Sequence, residues 1–412
     1  MNSTSAIMAA AAPWVIVCGG FHRDGGMDRA NAELARHLAQ SGVPLHLVSY
    51  RVDEEFASQP GVRVHLAERP AQSFFLARRR LARLGRAVAA RVVAAAPDAR
   101  VVTNGVNCAW PDINWIHFVH RAWRVTPRTA PLWFRLKDSF GRASDAARER
   151  ELLPRARVLI ANSARTRRDL IECAGVAPAR VRTVYLGCDP DWRAVTPARR
   201  AAARAALELP AAAPVVAFVG AFGHDQRKGF DTLWAAWREL ARDPSWDATL
   251  VVAGGGRGLA GWRETIARSG LGARVRIFGF TRRVAELLDA SDLLVSPARY
   301  ESYGLNVHEA LCRGVPAIVS RAAGVAERYP AELDDLLLPD PEDARDLAAR
   351  IGRWLMTRDA VASRLAPVAA RLRAYTWREM AAAFVAAVEA GAPAEGSAGS
   401  DAANGLDQAA AP

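Results

Sequence analysis

Lysine is almost missing from this chain. Of 55 basic residues only two are lysines, Lys137 and Lys228; the rest are arginines. Chemistry that needs a lysine amine, such as a pyridoxal Schiff base in a phosphorylase, therefore has few candidates. Cysteine is also sparse. Cys18, Cys108, Cys173, Cys188 and Cys312 are scattered, odd in number and without a CxxC pair, which indicates neither a disulfide framework nor a zinc site. A reducing, cytoplasmic compartment is the expectation. No charge-free run of about 18 apolar residues occurs, so no transmembrane helix is expected. The opening MNSTSAIMAAAAPWVIVCGG lacks a positive n-region, and Val15–Cys18 runs directly into a glycine turn. It reads as a first strand, not a signal peptide. The glycines at 19, 20, 25 and 26 do not make GxGxxG, which discounts a nicotinamide-dinucleotide site. With no aromatic-basic RNA signature and no DNA-reading motif, nucleic acid is not an expected partner.

What is present is a chain of 412 residues, 51% hydrophobic, enough for two or three domains at roughly 150 residues each. The formal charge is +12 and is unevenly placed. Residues 1–190 hold 28 Arg and Lys against 16 Asp and Glu, whereas residues 191–412 hold 27 of each. The first half thus faces something anionic, a membrane surface or a phosphate-bearing acceptor, or else carries a solvated arginine surface. The stretch from Phe74 to Ala96 is a basic amphipathic helix, with Leu81, Leu84, Val88 and Val92 at helical spacing among arginines. It packs on a sheet, touches a membrane surface, or does both.

Strand and helix signals alternate through both halves, which predicts an α/β protein with two doubly wound Rossmann-like domains. Residues 1–13 read as a flexible N-terminus and 14–190 as the first domain. The turn Gly187–Asp191 marks the boundary, 191–375 form the second domain, 376–390 hold a last helix over Trp377–Glu389, and the Ala/Gly/Ser-rich residues 391–412 read as a disordered tail. A strand over Asn114–His120 would put His120 at a carboxyl end, where ligands bind in open α/β sheets. The stretch 123–151 predicts a mobile loop followed by a helix. Asp189-x-Asp191 contains a metal-like spacing, but Pro190 and the turn favour a plain linker.

The stretch RYESYGLNVHEALCRGVP, residues 299–316, is the chemical centre of this reading. Glu301 and Glu309 bracket the start of a helix expected over Leu305–Cys312, with Gly314 and Pro316 ending it. Unpaired N–H groups and the positive end of the dipole make that start a site for an anion such as a nucleotide diphosphate, and carboxylates beside it can accept from sugar hydroxyls. Earlier, QRKGFD places Lys228 just before a helix whose expected N-cap is Asp231, where a compact ammonium can meet a phosphate.

Taken together these residues resemble the GT-B glycosyltransferases of family 4. The likeness rests on Glu301-x7-Glu309 with its GL…EALCRGVP continuation, RKGFD at 227–231, the Gly25-Gly26 turn and NSARTRRDL at 162–170, found in that family's order across nearly the whole chain. The resemblance implies two Rossmann-like lobes facing a cleft and a retaining, metal-independent sugar transfer without a cofactor. It implies catalytic roles for His120, Glu301 and Lys228, with His120 near the anomeric centre. Donor binding would fall to Gly25, Gly26, Lys228, Glu309 on the ribose, the amides of Ser302, Tyr303, Gly304 and Leu305, and Gly279 and Phe280 at the base. Where the family usually carries an Arg, this chain has Ala221, so Arg227 would have to supply that charge. The implied acceptor is a glycan or a lipid-linked sugar at the inner face of the membrane, in cell-surface polysaccharide or lipopolysaccharide synthesis. The alternatives are an epimerase on the same fold or a non-catalytic protein binding anions or membranes.

Overall fold

The computed structural model describes residues 11–70, 74–123, 130 and 132–391. The expected tail beyond Gly391, most of the expected flexible N-terminus and most of the loop before the 130s lie outside these residues. In the first lobe a seven-stranded sheet is built from β1 (Trp14–Val17), β2 (Leu45–Ser49), β3 (Val62–Leu66), β4 (Arg100–Asn104), β5 (Ile113–Ile116), β6 (Val158–Ala161) and β7 (Val181–Thr183). Its order is β3-β2-β1-β4-β5-β6-β7, with every pair parallel. The second lobe repeats the pattern with β8 (Val215–Val219), β9 (Thr249–Ala253), β10 (Val275–Gly279), β11 (Leu293–Ser296), β12 (Ala317–Ser320) and β13 (Leu337–Leu338), ordered β10-β9-β8-β11-β12-β13 and again parallel.

Parallel strands are covered on both faces, which is why they read as unbroken apolar runs. Trp14 and Ile16 pack with the helices α1 (Gly26–Gln40) and α13 (Trp377–Glu389), while Val15 and Val17 meet α3 (Phe74–Ala95) on the opposite face. Between α1 and α3 lies the short α2 (Glu54–Ala57); α4 (Leu132–Leu152) and α5 (Ala164–Glu172) complete the first lobe. The second lobe carries α6 (Pro197–Ala206), α7 (Phe230–Leu240), α8 (Leu259–Arg268), α9 (Val284–Ala290), α10 (Leu305–Cys312), α11 (Ala344–Met356) and α12 (Arg358–Ala374). Its core runs from Cys188 to Leu372.

The last helix returns to the first lobe. A capping box of Thr376 and Glu379 starts α13, and Phe384 packs 4.7 Å, ring to ring, from Trp115 on β5. The outgoing and returning segments cross at a bridge between Cys188 and Thr376. A Cβ on Gly187 would overlap the backbone of Thr376 and Trp377, so glycine is required where the two segments touch. Among the described residues no helix is long and apolar enough to cross a membrane.

Two local expectations are corrected. The strand expected to reach His120 ends at Ile116, and His120–Ala122 form a 3-10 turn. Ile116, paired with Ala161, is the last residue of the ladder. Beyond it the backbone has no strand partner, and the carboxylate of Glu149 takes the N–H groups of His120 (2.6 Å) and Arg121 (3.0 Å) instead. Asp231 is not the N-cap of α7: that position is Gly229, with φ of 72°. Asp231 lies in the first turn and accepts two hydrogen bonds from Arg299, each 2.7 Å.

Candidate active site

The loop between β11 and α10 is held from both lobes. Its second-lobe anchor is the Gly324–Arg328 turn, where Gly324 N–H donates to the Glu301 carbonyl at 3.1 Å and Val325 N–H to the Tyr303 carbonyl at 2.7 Å. Its first-lobe anchor is the start of α5, within the NSARTRRDL segment. Ser163 Oγ and Thr166 Oγ1 donate to the Ser302 carbonyl at 2.6 and 3.1 Å. Ser302 Oγ donates to the His117 carbonyl at 2.5 Å, and Tyr300 donates to Asp169 at 3.1 Å while accepting from Val119 N–H at 3.2 Å. Glu327 reaches across to the first two amides of α5, Ala164 at 2.9 Å and Arg165 at 2.5 Å. A carboxylate there answers the free N–H groups and positive end of that helix.

Against this fixed loop the predicted residues gather. Lys228 and Glu301 form an ion pair, both largely shielded from solvent. Asn306, in the first turn of α10, donates to the carbonyl of Val219 at the end of β8 at 2.9 Å. A Cβ on the next residue, Gly220, would lie 3.2 Å from Cβ of Lys228. From the other lobe, Gly26 opens α1 after Gly25, whose φ is 94°. A Cβ on Gly26 would stand 3.4 Å from the side chain of Leu305, the first residue of α10. Two helix N-termini, one from each lobe, therefore meet beside a single ammonium. Tyr303 is buried, its hydroxyl 2.5 Å from Nδ1 of His308. Glu309 is inward-facing and bonded to Arg313 at 3.2 Å. Burial raises its carboxyl above the usual range, and the positive charges of Arg313 and of Arg29 on α1 oppose that.

His120 stands at the first-lobe wall. Its ring is edge-on to Phe118, with centroids 4.8 Å apart. Phe118 in turn packs on Tyr300 at 4.9 Å, with the Arg227 guanidinium 5.2 Å from its ring. Arg227 thus comes from the second lobe to the same aromatic surface. Burial lowers the pKa of His120; Asp145, 3.9 Å from Nδ1, partly offsets this, and Arg78 and Arg227 push it further down. His117, partly buried with its ring 4.7 Å from that of Trp115, is pushed down to about 3 by burial.

Gly279 and Phe280 lie further along the carboxyl ends of the same sheet. Gly254 N–H donates to the Gly279 carbonyl at 2.8 Å, and a Cβ on Gly254 would overlap the Gly220 carbonyl. The Phe280 ring is 75% exposed, a flat apolar face at the lip of the lobe. Asp189, weighed as half of an Asp-x-Asp, is paired with Arg29.

Three residues of this site escape a linear reading: Glu327, Asp145 and Glu149. Ser163 and Thr166 lie within the NSARTRRDL segment, Ser163 as the N-cap of α5. Glu149 is buried, and burial raises its carboxyl to about 7 against the pull of the two amides it accepts from. Its folded pKa lies above its ordinary 4.5, so between those values the folded chain holds a proton that the unfolded chain releases. Its contribution to stability is complete below about 4.5 and is lost as the pH rises through about 7. The melting temperature should fall between pH 5 and pH 8, and Glu149→Gln should flatten that fall. Parallel melting profiles for the two proteins would rule out this titration.

Two family models match the chain. The model for Glycosyltransferase Family 4 matches residues 24–192, and that for Glycosyl transferases group 1 matches residues 213–357. The chain is similar to the D-inositol 3-phosphate glycosyltransferase of Saccharomonospora viridis, 33% identical over 216 residues, or 49% of each chain. It spans about half the length of the curated relatives it matches. Among solved structures, sucrose-phosphate synthase from Thermosynechococcus elongatus is 21% identical with a TM-score of 0.74, covering 92% of this chain and 98% of its own. Anabaena Alr3699/HepE in complex with UDP-glucose is 17% identical with a TM-score of 0.65, covering 92% and 99%. At these identities the structural likeness is one of fold.

Proposed function

The chain belongs to the family 4 glycosyltransferases and has the GT-B fold, and from that premise we propose that it transfers a sugar from a nucleotide sugar to a glycan or lipid-linked acceptor, with retention and without a metal. The observation that carries this reading is the meeting of the α1 and α10 N-termini at Gly26 and Leu305, beside Lys228. Two positively polarised helix ends and one ammonium form a receptor for a diphosphate.

Breaking the glycosidic bond moves charge onto the leaving nucleoside diphosphate. Lys228, Arg227 and the helix amides oppose that charge in a cleft from which closure excludes water. Glu309 would accept from the ribose hydroxyls and Glu301 from the transferred sugar, with Phe280 offering a stacking face to the base. His120, held neutral, would lie beside the anomeric carbon and accept a hydrogen bond from the sugar. Lobe closure about the Cys188–Thr376 crossing would assemble these groups. The place of action in this reading is the cytoplasmic face of the membrane, in the synthesis of a cell-surface polysaccharide or lipopolysaccharide.

Because HepE is solved with UDP-glucose, uridine diphosphate sugars come first in a thermal-shift screen of nucleotide sugars, since a ligand of the folded state raises apparent stability. Glu309→Ala should weaken the best donor by roughly tenfold to a hundredfold, the scale of one lost charged hydrogen bond or pair. If no nucleotide sugar shifts the melting curve, or if Glu309→Ala binds as well as the unmodified chain, the reading fails. An epimerase would convert the donor without an acceptor, which product analysis separates.

A further inference from the structure

The N-termini of α1 and α10 meet at Gly26 and Leu305. Three residues on from Gly26 stands Arg29, and four on from Leu305 stands Glu309. Those spacings return a side chain to the face of its helix one turn further in. Arg29 and Glu309 therefore lie on the facing sides of the two helices, one turn from the proposed diphosphate seat. Burial raises the carboxyl of Glu309; against it stand Arg313 first and Arg29 next, while Asp189 adds to the rise.

Arg29 is held by more than its own lobe. It pairs with Asp189 on the outgoing segment of the lobe crossing. Its guanidinium lies 5.3 Å from the ring of Trp192, on that segment, and 5.5 Å from the ring of Trp377, on the returning one. Trp192 belongs to the core of the second lobe and Trp377 to that of the first. Trp192 also packs against His308, the residue before Glu309, with centroids 6.1 Å apart. The Nε of Arg29 is buried without a partner. Enclosing a charge beside two indoles costs desolvation that an aliphatic side chain would avoid. The cation–π contacts and Asp189 offset part of it. One cation thus touches both segments that join the lobes and lies across from the carboxylate assigned to the ribose.

We propose that Arg29 is a positioning residue for the donor: it ties Glu309 to the lobe crossing, so that closure of the first lobe also readies that carboxylate to accept from the ribose. This rests on the transferase reading and on Glu309 as the ribose ligand. Arg29 acts through Glu309 and not on the reacting atoms.

Among the described residues, the charged and titratable groups around Glu309 are Arg313 and the Cys312 thiol on its own helix, Arg29 on α1 and Asp189 at the crossing. Asp289 of α9 lies behind Arg313 at 2.7 Å. His308, pushed down to about 3 by burial, stays neutral over the range tested. Arg29 and Asp189 then act on Glu309 with opposite sign. A protonated Glu309 accepts less well from ribose hydroxyls, so donor affinity falls on the acid side. Removing Arg29 moves that fall to higher pH, and removing Asp189 moves it to lower pH.

The test measures binding to the full chain by calorimetry from about pH 5 to about pH 9. The probe is UDP-glucose, or the nucleotide sugar that the thermal-shift screen ranks first. Arg29→Gln should move the acid limb up by about one pH unit, which is about tenfold in affinity on that side. Asp189→Asn should move it down by a smaller step. Arg29→Lys keeps the charge and should bring the limb most of the way back. Glu309→Gln should bind weakly at every pH, and adding Arg29→Gln to it should change affinity by less than about twofold. Melting curves are taken alongside. A purely structural Arg29 would lower the melting temperature and leave the limb in place. A limb that stays put, or that moves the same way in Arg29→Gln and Asp189→Asn, overturns the proposal. So does a full effect of Arg29→Gln in the Glu309→Gln background. Should Arg29→Gln fail to fold, the direction of the limb in Asp189→Asn decides alone. If no nucleotide sugar binds the unmodified chain, the transferase reading falls and this role with it. If the donor binds and only the limb is unmoved, the role of Arg29 alone falls.

Discussion

Lys228→Ala is expected to lower the rate of sugar transfer by roughly 10²–10³-fold, the scale of removing one preorganised donor to a developing negative charge. The expectation rests on scarcity and place together. The chain has two lysines, and one of them stands where helix ends from both lobes converge. Its ion-pair partner is Glu301, so a diphosphate that binds there would exchange one anionic neighbour for another. A charge already sited there needs no reorganisation as the bond breaks, so the loss should fall on turnover more than on donor affinity. Lys228→Arg should recover part of the rate, because the charge returns but a planar fork replaces a compact ammonium. Thermal melting is measured alongside, since Glu301 is left without its ion-pair partner. Turnover close to that of the unmodified chain, in a variant that melts normally, would remove Lys228 from the mechanism.

Much of the frame is legible because parallel strands are buried on both sides. Thr249–Ala253 and Ala317–Ser320 are apolar runs closed by glycine or by a polar residue, so such strands announce their own limits. The same holds for α10, opened by Gly304 at φ 109° and stopped at Gly314, φ 74°. Elements that the pattern does not reveal are those where burial is partial. Strand β3 is a half-exposed edge, and α12 carries Pro367 inside a helix of alanines and arginines. The reading also carries the strand to His120 because Phe118 and Val119 continue an apolar alternation; what stops it is the end of the ladder, which no local residue announces. Lys228, Glu301 and the turn that follows are legible at the site because helix starts and glycines place them. Glu327 and Glu149 are not, because each acts on a partner far along the chain: Glu327 bonds amides 162 and 163 residues away.

Gly229→Ala is expected to cost about 2–4 kcal/mol, the range of a strained backbone combined with a buried clash. Gly229 has φ of 72°, a region that L side chains avoid. An alanine Cβ there would also overlap the carbonyl of Pro297, the residue that follows β11 and begins the Glu301 loop. Neither side can yield easily. Phe230, the next residue, is buried among Phe218, Phe222 and Trp262, with centroids about 5 Å away. On the other side, Ser302 is fixed to α5 of the first lobe. The overlap must then separate Lys228 from Glu301, so turnover should fall together with a melting temperature lower by roughly 5–15 °C. Gly42→Ala supplies the contrast. Its φ is 74°, but no atom lies within 4 Å of the added Cβ, so it carries the conformational strain alone, about 1–2 kcal/mol. Subtracting one variant from the other isolates the contact with Pro297. If the two melt alike and both keep full activity, Gly229 is a turn residue only, and the close approach of the Lys228 and Glu301 loops has no part in forming the donor site.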